Sequence, residues 1–145
     1  MKTVLFLAPP GSLQEVAYSI LEEMWTSGRI EQLYRHVSKK EYKRWPDQYD
    51  LGITFLYNYH IPSTEENKSW VHLVLGNPSF TQDEFGGTLI SKDGIVTNKF
   101  FIDPDHDWKE IEKRGRECLL KLFFLYVPDI INRNENICRS ILCKI

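Results

Sequence analysis

The chain carries four histidines and 20 Asp and Glu residues, and their neighbours decide which of them can do chemistry. An imidazole beside a carboxylate moves protons near neutral pH. His72 and Asp93 are the two residues best suited to form such a pair. His72 lies between Val71 and Leu73, where a histidine also serves as a packing residue, and Asp93 before Gly94 also reads as turn chemistry. Tyr57, Tyr59, His60 and Ile61 follow the apolar run that starts at Leu51. In open α/β sheets the ligand crevice lies beyond the carboxyl ends of the strands, so these side chains are placed to bind a small molecule. His106 stands between Asp105 and Asp107, but adjacent residues at a helix start do not converge on one ion, so no metal site is read there. No Gly-x-Gly-x-x-Gly fingerprint, Walker A motif or Gly-x-Ser-x-Gly elbow occurs.

The elements that must position these groups follow from hydrophobic pattern and punctuation. Residues 3–8 form a continuous apolar run, as a strand covered on both faces should. That run is too short for a secretory signal and is broken by Pro9-Pro10-Gly11. Ser12 and Glu15 have the spacing of a capping box, and Val16, Ala17, Ile20, Leu21 and Met24 continue at helical spacing to Ser27-Gly28. Ile30, Leu33, Tyr34 and Val37 are spaced like a short helix, and Ser38 would cap another around residues 40–44. Residues 50–57 and 70–75 read as buried strands, residues 83–87 as a loop, and residues 88–102 as a hairpin turned at Lys92-Asp93-Gly94. A helix runs from about Asp107 to Tyr126, presents Trp108, Ile111, Leu119, Leu122 and Phe123 to the sheet, and is stopped by Pro128. Residues 1–128 thus form one α/β domain, and residues 129–145 a tail or short helix. The fold class is a Rossmann-like, three-layer open sheet, mostly parallel, with a β-hairpin and a C-terminal helix.

Composition narrows the function classes. The length of 145 residues fits one domain, and 42% apolar with 26% charged residues supports a packed core. A net charge of −2 excludes a global attraction to nucleic acid or to an anionic membrane. Arg35, His36, Lys39, Lys40, Lys43 and Arg44, interleaved with Tyr34, Tyr42 and Trp45, form a basic and aromatic run that reads first as a solvated helical face. No apolar stretch approaches the ~20 residues of a membrane helix. Cys118, Cys138 and Cys143 are odd in number and lack paired metal spacing, which predicts reduced thiols in a cytoplasmic protein.

Three segments resemble the folate-dependent formyltransferases, the family of methionyl-tRNA, glycinamide-ribonucleotide and nucleotide-sugar N-formyltransferases. Residues 50–62, an apolar strand opened by Asp50 and closed by Ile61-Pro62, resemble the family's mid-domain strand and aromatic loop. Residues 1–7 resemble its first strand. Residues 88–102, with Thr88-Leu89 and Asp93-Gly94-Ile95, resemble its later hairpin. The resemblance covers about two thirds of the chain. It implies N10-formyltetrahydrofolate as formyl donor and an amine, such as that of a sugar nucleotide, as acceptor. That chemistry needs a donor for the developing oxyanion and a group to move the amine proton.

The chain departs from the family where the chemistry resides. The family motif Asn-x-His-Pro-Ser falls on Leu75-Gly76-Asn77-Pro78-Ser79, so Asn77 stands where the imidazole is expected and Leu75 where the amide is. The hairpin's catalytic Asp falls on Val96. Asparagine can donate to an oxyanion but cannot carry a proton near neutral pH, and leucine and valine can do neither. Asn77, His72 and Asp93 are therefore the candidate catalytic residues, the last two replacing the missing pair. The alternatives are a formyltransferase, a non-catalytic relative, and a small α/β interaction domain. The shortened chain also raises the prospect that a homodimer supplies missing elements.

Overall fold

The computed structural model describes residues 2–36 and 44–144, with side chains as far as Arg133. Six strands form one sheet: β1 (Thr3–Leu7), β2 (Gln32–His36), β3 (Leu51–Phe55), β4 (Trp70–Leu75), β5 (Glu84–Ser91) and β6 (Gly94–Phe101), in the order β2-β1-β3-β4-β5-β6. The first four are mutually parallel, and β5 and β6 are antiparallel additions, so the sheet is α/β and mostly parallel. Two helices, α1 (Ser12–Thr26) and α2 (Trp108–Lys144), complete the described elements.

Alternation along the strands assigns the two faces. Val4 and Phe6, Leu51, Ile53 and Phe55, Val71 and Leu73, and Leu89 point to the helix side and pack with Ala17, Leu21, Leu119, Leu122 and Phe123. Phe123 holds this layer together, meeting the Phe6 and Phe55 rings edge-on at 6.1 and 5.8 Å. Leu5 and Leu7 point the other way, into a second cluster with Trp45, Tyr49, Tyr57, Ile61 and Trp70. Among the described residues this third layer consists of connecting segments, not a helix.

The starts of β1 and β3 are tied by Asp50. Its carboxylate accepts the Thr3 N–H at 2.8 Å, and its own N–H donates to the Thr3 carbonyl at 2.8 Å. Glycines allow two close approaches. Gly87 on β5 lies beneath Leu119, and Gly115 on α2 lies against the Phe85 ring, so the helix sits directly on the strand.

Several elements differ from the sequence reading, each for a local reason. Residues 32–36 form a strand, not a helix, because pairing with β1 overrides a helical spacing of only a few apolar positions. His36 is buried, and the Arg35 guanidinium is paired with Glu15 and lies over the Tyr18 ring at 4.4 Å. Ser38, Lys39, Lys40, Tyr42 and Lys43 lie outside the described residues. The capping box does not form: Gly11 is the N-cap without a side-chain bond, and the Glu15 carboxylate is taken by Arg35. Residues 84–87 belong to β5 rather than to a loop. The last helix does not stop at Pro128. Burial of Val127, Ile130 and Ile131 at about 1.5–3 kcal/mol each outweighs the ~3 kcal/mol cost of a helical proline.

One glycine tests the third layer directly. A Cβ on Gly52 would lie 2.4 Å from the Trp70 ring. Gly52→Ala is expected to destabilise the fold by about 1–3 kcal/mol through overpacking, seen as a lower urea midpoint at unchanged slope.

Candidate functional site

The site grows from the pairing of β3, β4 and β5 on the third-layer face. Register places Thr54 beside His72, and His72 beside Ile90. Thr54 Oγ1 and His72 Nδ1 lie 2.9 Å apart, which fixes the ring. The Trp70 indole, two residues earlier on the same face, stacks parallel to it at 5.7 Å and 5°. Trp70 is in turn fixed by its Nε1–H, which donates to the Glu65 carbonyl at 2.8 Å, and by the Tyr49 ring at 5.7 Å. Lys68 closes this corner. Its ammonium donates to the Asp47 carbonyl at 2.8 Å, pairs with the Glu65 carboxylate at 2.8 Å and lies over the Tyr49 ring at 4.3 Å.

In front of this wall is a cavity of about 400 Å³, lined by Ile61, residues 66–70, His72 and residues 90–92. That volume lies within the range of small-molecule sites, and its mixture of apolar rings and a few polar groups is typical of them. Burial alone pushes the His72 imidazole below its ordinary range. It is therefore neutral at pH 7, with Nδ1 committed to Thr54. The cavity opens toward the amino ends of the parallel strands, because it is reached from Trp70 at the start of β4 and Ser91 at the end of β5.

The structure brings two of the expected site residues, His72 and Ile61, to one cavity. The others go elsewhere. Asn77 lies just past β4, where its Oδ1 accepts the Ser79 N–H at 2.8 Å and its amide donates to Thr88 Oγ1 at 3.2 Å. The Thr88 hydroxyl then donates to the Gly76 carbonyl at 2.6 Å. Asp93 sits in the two-residue turn between the paired Ser91 and Gly94, and its carboxylate faces Arg133 at 3.5 Å. It is not the partner of His72. Val96 is a ladder residue opposite Leu89, packed toward the core. Tyr57 and Tyr59 meet edge-on at 5.4 Å. Tyr57 faces the second cluster, Tyr59 is 49% exposed, and His60 is exposed.

The turn that sends this loop across the sheet is made by Leu56 at φ 57. In an extended chain Leu56 would face away from Phe55; the left-handed backbone lets it pack on the helix side with Phe55. The sequence reading missed Lys92, Asn67 and Ser91, whose surroundings are set by tertiary pairing. Gly52 inside an apolar strand was the one available signal that a large ring lies close to the backbone.

Other groups resolve plainly. Asp107 accepts the Glu110 N–H at 2.9 Å and caps α2. Among the described residues no group of three His, Cys, Asp or Glu side chains is arranged to hold a metal ion, and no helix is long and apolar enough to cross a membrane. Cys118 is half-buried, and burial pushes its thiol up, away from the reactive thiolate.

The architecture is an open α/β sheet extended by an antiparallel hairpin and backed by a long helix, and solved formyltransferases share it. The chain is similar to a 4-N formyltransferase from Francisella tularensis, with a TM-score of 0.64 and 12% identity over 91% of this chain and 70% of that one. It is also similar to a methionyl-tRNA formyltransferase from Clostridium thermocellum, with a TM-score of 0.59 and 11% identity over 92% of this chain and 66% of that one. No protein-family model matches the sequence, and no curated protein matches it. The likeness is one of fold.

The neutral imidazole has a consequence for stability. The unfolded chain binds the His72 proton near pH 6.5, whereas the folded site binds it only at lower pH. Stability is therefore held above pH 6.5 and falls as the pH drops from there toward the folded value. Urea unfolding at pH 7.5 and 5.5 should show a larger loss for the wild type than for His72→Gln.

Proposed function

We propose that this chain is a small-molecule binding domain on the formyltransferase scaffold, taking a reduced folate of the N10-formyltetrahydrofolate type without transferring its formyl group. The cavity beside Trp70 and His72, with Ile61 from the loop after β3, is the site assigned to that ligand. One observation carries the reading: the three candidates His72, Asn77 and Asp93 are each held by a different partner within the chain and not by one another. His72 is held by Thr54, Asn77 by Thr88 and Ser79, and Asp93 by Arg133. Asp93, the carboxylate expected to assist the imidazole, pairs with Arg133 while His72 is held by Thr54. The two remaining family positions, Leu75 and Val96, are apolar.

A second reading keeps formyl transfer to the amine of a sugar nucleotide. It is favoured by the neutral state of His72, which makes the ring a proton acceptor at pH 7 in a ligand-sized cavity.

Two measurements separate them. Calorimetry with 5-formyltetrahydrofolate should give a saturable heat that Ile61→Arg abolishes. Incubation with N10-formyltetrahydrofolate and a panel of amino-sugar nucleotides should give no formylated product. Absence of folate binding defeats the first reading, and product formation that His72→Gln abolishes establishes the second.

A further inference from the structure

The outer edge of β6 is the longest unfinished feature of the sheet. The strand runs for eight residues, is the last in the sheet order, and pairs only with β5 among the described residues. An open edge presents unpaired N–H and C=O groups, and proteins normally blunt such edges with proline, bulges or several charges. Residues 94–101, Gly-Ile-Val-Thr-Asn-Lys-Phe-Phe, contain no proline and one charge. That charge is already neutralised, because the Lys99 ammonium pairs with the Glu84 carboxylate at 2.6 Å.

Two large apolar side chains stand out on this strand. Ile95 is 63% exposed and Phe101 is 77% exposed. They are six residues apart, so alternation puts them on the same face, toward the third-layer side with Lys99 and Thr97. Val96 and Phe100 occupy the helix side, where the Arg114 guanidinium covers the Phe100 ring at 4.4 Å.

We propose that β6 pairs antiparallel with β6 of a second copy of this chain, about a two-fold axis at Asn98, giving one continuous twelve-stranded sheet. Directly opposed residues in an antiparallel pair share a face, so the register must place odd residues opposite odd and even opposite even. Centring on Asn98 sets Ile95 opposite Phe101 of the other copy, twice, and Val96 opposite Phe100. Both exposed apolar side chains are then buried by each other. Lys99 falls opposite Thr97 and never opposite its own copy, whereas centring on residue 99 would oppose two lysines. A two-fold interface is self-complementary by construction, and this sequence supplies the complement within one strand. The pairing is independent of any ligand in the cavity.

Charge substitutions test the register. Sedimentation equilibrium of the intact chain should show a concentration-dependent dimer. Ile95→Glu alone and Phe101→Lys alone should each weaken it at least ten-fold, with unchanged circular dichroism, since both side chains are exposed. The double variant should restore the dimer, because the introduced carboxylate of one copy and the introduced ammonium of the other would then meet across the axis. Restoration should weaken with added salt. A monomer at all accessible concentrations overturns the proposal. So does a dimer indifferent to both single substitutions, or a double variant that stays monomeric.

Discussion

The contact between the Trp70 ring and the bare backbone of Gly52 is the constraint on which the site depends. β3 lies between β1 and β4, so both of its faces must be covered. Helices cover one face. The connection from β3 to β4, residues 56–69, is short, and it covers the other with side chains in place of a packed helix. Trp70 can do this only by lying flat on β3, and only glycine leaves room for it. Trp45, Tyr49 and Lys68 then pack around the indole, and its parallel partner is His72. A layer made of rings instead of a helix leaves a gap toward β5, and that gap is the cavity.

The same packing decides the chemistry of the imidazole. A histidine between a tryptophan and a strand gains little from becoming charged and loses solvation if it does, so it stays neutral. Thr54 fixes its orientation through Nδ1. A carboxylate within reach would reverse that balance by stabilising the imidazolium. Asp93 is instead placed at the hairpin turn, facing Arg133, where it helps to tie the hairpin to α2. His72 and Asp93 thus serve different contacts, and the carboxylate residue that shares the cavity with the imidazole is Glu66.

Much of the architecture was legible because its signals are local. The continuous apolar runs of β1, β3 and β4 and the Asp-Gly turn of the hairpin depend on sequence neighbours only. β2 differs from the helix expected there because the four spaced residues Ile30, Leu33, Tyr34 and Val37 do not by themselves separate helix from strand, and pairing with β1 decides. Pro128 was misread because a local rule was applied where three buried side chains outweigh it. Strand and loop position pointed to His72 and Ile61 as candidates, but for Ile61 it pointed to a crevice beyond the carboxyl ends of the strands, and the cavity lies at their amino ends. Asn67, Ser91 and Lys92 were not legible, since nothing in their own neighbourhoods points to a cavity that forms only when β4 and β5 align. The engagement of Asn77 was equally invisible, because its partner Thr88 lies eleven residues away on the neighbouring strand.

The likeness to solved formyltransferases at 11–12% identity has a physical explanation that also bears on function. A core needs side chains that are apolar and of suitable volume, so many sequences satisfy it. A reacting centre needs particular atoms, and it tolerates almost no substitution. The three positions where the family chemistry would fall obey the first rule. Leu75 ends a strand, Val96 is a β-branched residue in a ladder opposite Leu89, and Asn77 closes a turn with its own carboxamide. Each residue suits its local backbone, and none is strained, buried without a partner or aimed at open space. Strain and unsatisfied groups collect where function opposes stability. Here the polar groups around β4 and β5 show the opposite, a surface whose side chains serve the fold first. On this argument the likeness to the solved formyltransferases is a likeness of fold, carried by the packed core and not by a set of reacting atoms.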